Sequence, residues 1–152
     1  MSSPAVTIIN ITDPIIVLGR HFTGDYYHSQ KYIIEVQDTL KKDDIDFAPF
    51  KVFGIYYDNP GEKSNDELRS FHGTFPDTVS SSKKTSLETL KLTGKFIQTK
   101  VKGDPSTTIM EGYGALFSYI QQNGVKLKSQ AGYQTSTFEN GGMTTEILME
   151  IE

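Results

Sequence analysis

Few residues in this chain can do chemistry, and their spacing narrows what they can do. The 152 residues include no cysteine, which removes disulfide staples, thiolate zinc sites and cysteine nucleophiles together. The three histidines, His21, His28 and His72, do not have the spacing of a metal site. No Ser-His-Asp set or carboxylate pair stands out either. A protein without metal or cofactor is the expectation. What remains are aromatic rings, amides and single carboxylates. Tyr56 lies in FGIYYDNPGE, residues 53–62, where apolar Phe53 and Ile55 alternate with Gly54 and Tyr56 before the turn residues Asp58, Asn59, Pro60 and Gly61. Such a ring beside bare glycine backbone suits stacking against a flat ligand. Near the C-terminus Glu150 is a candidate base, since a lone buried carboxylate has a raised pKa.

These residues need elements to carry them, and the chain presents its elements twice. A strand pattern over residues 15–22 ends at Gly24-Asp25 and leads into a helical stretch, about Tyr27 to Leu40, with Ile33, Val36 and Leu40 on one stripe. A second strand pattern over 95–101 ends at Gly103-Asp104. It leads into a helix over about 106–122 that aligns Ile109, Tyr113, Leu116, Phe117 and Ile120. Asp104 and Pro105 mark that helix's start and Asn123-Gly124 its end, while Gly112 and Gly114 weaken it. Two strand patterns follow each helix, 51–58 with 68–74, then 132–138 with 144–151. The fold class is therefore α+β, a tandem strand-helix-strand-strand repeat forming antiparallel sheets, with one helix per half and a groove between the halves. One domain over 1–152 is expected, with halves at about 1–77 and 87–152 and a polar linker at about 78–86.

Composition limits the partners. A net charge of -4 argues against direct nucleic-acid binding, which needs clustered Lys and Arg. No apolar run approaches the ~20 residues of a membrane span, and the N-terminus lacks the pattern of a secretory leader, so a soluble, cytoplasmic protein is expected.

The run from Gly54 to Pro60, GIYYDNP, followed by Glu67-Leu68-Arg69, is similar to the first half of the GyrI-like domain. That domain is the small-molecule-binding module of bacterial multidrug-sensing regulators and of a gyrase-inhibitor protein. GRHFTGD (19–25), LTGKFIQTKVKGDPS (92–106) and TEILMEI (145–151) look like its other strands, so the resemblance covers nearly the whole chain. It implies a groove whose floor carries a Glu within an E-[IV]-Y step, used for attracting cationic drugs or for hydrolysis. Here Gln134 stands at the acid and Ser136 at the Tyr. An amide neither takes up a proton as a general base nor offers full charge to a cation. Glu139, by a shifted alignment, or Glu150 would have to replace it.

Strand alternation then sorts the candidates. With Phe53 and Ile55 facing the helices, Gly54 and Tyr56 face the groove, as do Gln134, Ser136 and Phe138 in the second half, Leu148 and Glu150 in the last strand, and Phe96 in its first. Tyr26, with Tyr27, caps the first helix and rims the groove, whereas Tyr57, Tyr113 and Tyr133 read as core. The leading expectation is a stand-alone binding protein that holds a hydrophobic or aromatic small molecule between its halves. Two alternatives remain. One is a hydrolase of electrophilic or ring-strained compounds using Glu150 or Glu139. The other is a protein-interaction module, as the resemblance to the gyrase inhibitor implies.

Overall fold

The computed structural model describes residues 4–77 and 84–152. Six strands and two helices follow one another as β1 (Val6–Thr23), α1 (Ser29–Lys42), β2 (Phe47–Tyr56), β3 (Arg69–Pro76), β4 (Glu88–Lys102), α2 (Pro105–Asn123), β5 (Gly132–Glu139) and β6 (Gly142–Glu150). Most of the expected linker, residues 78–83, lies outside the described residues.

Local chemistry sets most boundaries. The Asp104 carboxylate accepts the Ser106 N–H at 3.0 Å, Pro105 begins α2, and Gly124 ends it at φ 60°. Asp25 accepts the Tyr27 N–H at 3.0 Å, starting a 3-10 turn, Tyr26–His28, that feeds α1. Asn140 and Gly141, with φ of 48° and 77°, form the two-residue turn of the β5–β6 hairpin. Gly112 does not weaken α2 without return. It is buried, and a methyl there would meet Ile147 and Val101, so its absence lets the helix lie directly on β4 and β6.

The antiparallel sheets expected from the sequence are one six-stranded antiparallel barrel, closed in the order β1-β3-β2-β5-β6-β4. Closure depends on the length of β1. Leu18 to Thr23 pair with β3, while Val6 to Gly19 pair with β4, across a register shift between Ile11 and Ile15 where Pro14 lacks an N–H. The sequence pattern identified only residues 15–22 of this strand, because Asn10, Thr12 and Asp13 interrupt the apolar run.

Closure also assigns the faces. Val17, Phe53, Ile55, Phe71, Leu92, Phe96, Ala131 and Leu148 form one buried cluster, with Tyr57 and Tyr133 packed against it. Only the barrel interior lets strands all round the ring share a cluster. The helices lie outside. Val36 and Leu40 of α1 pack with Leu18, Ile45 and Leu87, and Leu116 of α2 packs with Ile97, Val101, Ile147, Met149 and Ile151. Phe53 and Ile55 therefore face the interior, not the helices as expected, and Gly54 and Tyr56 point to the helix side. With α1 on β1 and β3, and α2 on β4 and β6, the outer surface of β2 and β5 lies between the helices. No helix of the described residues is long and apolar enough to cross a membrane.

Gly19 and Gly73 face each other where β1 crosses β3. A methyl on Gly19 would collide with the His72 carbonyl oxygen and come 2.7 Å from the Gly73 Cα, both rigid backbone. Gly19→Ala is expected to destabilise the fold by about 1–3 kcal/mol, read as a lower urea midpoint at unchanged m-value.

Candidate functional site

The strip of β2 and β5 between the helices carries two glycines that tyrosine rings cover. Gly54 pairs with Gln134 and Tyr56 with Gly132, so each row carries one glycine. A cavity of about 480 Å³ opens above it. Its walls are Tyr26 and Tyr56 on one side and Tyr113 and Phe117 of α2 on the other, with Gln130, Gln134, Leu127 and Met149 between them and Asp58, Asn59 and Pro60 at the rim.

Each ring is held by something specific. Tyr113 reaches down from α2 to accept the Gln134 Nε2–H at 3.0 Å, and a methyl on Gly132 would collide with its hydroxyl. Phe117, one turn further on, stacks on Tyr113 at 6.4 Å between ring centroids and remains 52% exposed. The Tyr26 hydroxyl accepts the Asp58 N–H at 3.0 Å and lies 2.8 Å from the Arg69 carbonyl, fixing the turn after β2 to the start of β3. Tyr56 meets Tyr26 edge-on at 4.9 Å, but among the described residues its hydroxyl is tethered only by a 3.4 Å contact to the Ser29 Oγ.

Asp58 is the only acidic residue lining the cavity among the described residues, and its charge is already matched. Arg69 donates from Nε (3.0 Å) and Nη2 (2.9 Å) and from its backbone N–H (2.8 Å), and the Lys63 Nζ lies 3.1 Å away. The side chain is only 3% exposed. Those hydrogen bonds from Arg69 hold its carboxyl well below the usual carboxylate range, so it stays ionised and paired. Burial raises the Tyr56 and Tyr26 pKa values and pushes Tyr113 up to about 12. All three phenols are therefore neutral at physiological pH, and the cavity offers rings, hydroxyls and amides rather than net charge.

Of the candidates from the sequence, Tyr26, Tyr56 and Gln134 line this cavity. Gly54 lies beneath the Tyr56 ring. Ser136 is further along β5, its Oγ 3.3 Å from the Thr145 Oγ1. Phe96 and Leu148 point into the barrel interior. Glu150 is on their side of the sheet, 3.6 Å from the Lys128 Nζ. Phe138 is half-exposed and borders a separate shallow cavity with Phe50, Glu139 and Met143. Neither Glu139 nor Glu150 lines the tyrosine cavity. Sequence reasoning passed over Phe117, Gln130, Leu127 and Met149 as lining residues, and Tyr113, read as core, both packs against the core cluster under α2 and lines the cavity. A polar-tipped ring one turn from a Phe on α2 was the available signal.

Two histidines have definite roles in the architecture. At one end of the barrel, the His21 Nδ1 lies 2.9 Å from the Glu88 Oε1 and its Nε2 3.1 Å from the Tyr57 hydroxyl, tying together β1, β4 and the end of β2. His72 of β3 pairs with Gly54, is 0% exposed, and contacts the rings of Phe22, Tyr32 and Tyr56. Its Nε2 lies 3.1 Å from the Ser70 Oγ, while Nδ1 has no hydrogen-bond partner among the described residues. An unpaired buried polar atom costs roughly 1–3 kcal/mol. Among the described residues no group of three His, Asp or Glu could hold a metal ion.

Burial depresses the His72 pKa from 6.5 to about 4. The unfolded chain then binds the proton more readily than the folded one between these values, so stability is full above 6.5 and falls with pH down to about 4. The loss should approach about 3 kcal/mol. His72→Phe should remove that component, measured as a smaller difference in denaturation free energy between neutral and mildly acidic buffer.

No protein family and no curated protein sequence matches the chain. Solved structures match its fold. The C-terminal domain of EcmrR aligns with a TM-score of 0.69 at 15% identity, covering 97% of this chain and 96% of that one. A hydrolase from Listeria innocua aligns at 0.59 and 11% identity, covering 100% and 94%. SAV2435 bound to tetraphenylphosphonium aligns at 0.56 and 11%, covering 99% and 94%. At these identities the likeness is one of fold, and it is consistent with the GyrI-like architecture that the sequence resembles.

Proposed function

We propose that the chain binds a neutral hydrophobic or aromatic small molecule in the cavity between its two helix-bearing halves, β1-α1-β2-β3 and β4-α2-β5-β6. The observation that carries this reading is a wall of Tyr26, Tyr56, Tyr113 and Phe117 around a floor that includes Gly132 and Gln134, in a pocket whose single carboxylate among the described residues is already neutralised. Rings stacked on such a wall bind through apolar contact and quadrupole geometry, and the phenols and amides fix orientation. SAV2435 holds tetraphenylphosphonium, a cation. Here Arg69 and Lys63 already occupy the Asp58 charge and Gln134 adds none, so a cation would lose its hydration without gaining a counterion. The hydrolase reading finds less support, because Glu139 and Glu150 stand away from the rings.

The test is a thermal-shift series with neutral polycyclic aromatics, cationic aromatics and electrophilic compounds, since a ligand that binds only the folded state raises its melting temperature. Neutral aromatics are expected to stabilise the protein most. Phe117→Ala should weaken them about three- to tenfold with little change in the melting temperature of the free protein, because Phe117 is half-exposed. Stabilisation by cations alone, or by no class, would defeat the reading.

A further inference from the structure

We infer that the cavity continues behind the Tyr56 ring into a hydrogen-bonding subsite made by the His72 Nδ1 over the bare backbone of Gly54, and that its ligand is an aromatic carrying one N–H or O–H donor. The inference rests on the aromatic-cavity reading and adds the polar group that selects among aromatics.

Three observations converge. First, Nδ1 of the fully buried His72 is unpaired among the described residues, a rare condition in folded proteins. In the tautomer that donates its Nε2–H to the Ser70 Oγ, Nδ1 presents a lone pair, and burial keeps the imidazole neutral at physiological pH. Second, that nitrogen lies beside the position where Gly54 lacks a side chain, a position the Tyr56 ring and hydroxyl now cover. A methyl placed there would lie 3.4 Å from Nδ1 and 3.2 Å from the Tyr56 Cε2. The Tyr56 ring is therefore the partition between the unpaired nitrogen and the cavity it also lines. Third, the partition is weakly held. Its one hydroxyl contact, to Ser29, is 3.4 Å long, at the outer limit of a hydrogen bond, while the Ser29 hydroxyl already donates to the Tyr26 carbonyl at 2.6 Å. A rotation of Tyr56 about its side-chain bonds opens the gap, and a ligand ring that takes its place against Tyr26 brings a donor to Nδ1. The remaining neighbours, Phe22 and Tyr32, are rings that exclude water and strengthen that bond.

Indole and 1-methylindole test this, since they share a ring and differ in a single donor. The wild-type protein is expected to bind indole about tenfold more tightly, and indole alone should shift the Nδ1 resonance of 15N-labelled imidazole. His72→Phe should bring the affinity ratio to about one while keeping both ligands. If that variant fails to fold, Gly54→Ala gives the same result with His72 in place, by filling the gap beside Nδ1. Equal affinities in the wild-type protein, or a preference for indole that survives both substitutions, would overturn the subsite and leave the aromatic cavity standing. Failure of both indoles to bind would overturn both readings.

Discussion

The double pairing of β1 is the constraint on which the rest depends. One strand is hydrogen-bonded to β3 through its last residues, Leu18 to Thr23, and to β4 through most of its length, and this closes six strands into a ring. Once closed, the sheet has an inside that must be filled with side chains, and Phe53, Ile55, Phe71, Phe96 and Leu148 fill it. The helices can then bury their apolar stripes only from outside. They settle on the strand pairs on either side of β2 and β5, and the strip left between them is where glycines and tyrosines meet.

The cavity is therefore built from residues that a barrel turns outward and the helices leave uncovered. Its polar groups are mostly satisfied by one another. Gln134 donates to Tyr113, Tyr26 is engaged by backbone on two elements, and Asp58 is held by Arg69 and Lys63. A pocket arranged in this way discriminates by shape and by the few unsatisfied positions, and it has no strong field to attract or repel charge. Its chemistry follows from the same closure that hides Phe96 and Leu148.

Much of the architecture was legible in the sequence because it rests on local signals. Asp104-Pro105 and Gly124 delimit α2, Asn140-Gly141 marks the hairpin, and the Gly54–Tyr56 alternation places Tyr56 and Gly54 on one face. The order of elements could be read from these alone. What could not be read is which face is inside. An open sheet and a closed barrel share the same period-2 pattern, and the difference is a matter of distant strands pairing, here residues 6–11 and 15–19 of β1 with β4. That one ambiguity moved Phe96, Leu148 and Glu150 to the groove side in the sequence reading and left Met149 out of it. Tyr113 packs against the core beneath α2, as its helical position suggests, and lines the cavity as well. Its helical position marks a buried stripe, but only the neighbouring glycine in β5 shows that its hydroxyl descends onto the floor.

Gly112 has a consequence beyond packing. By letting α2 rest against Ile147, it sets how far Tyr113 and Phe117 stand from the tyrosines opposite, so the breadth of the pocket is governed from a layer behind its wall. A lineage of such proteins has room to change the size of the molecule it accepts by altering the spacer beneath the helix, while every residue that touches the guest stays the same.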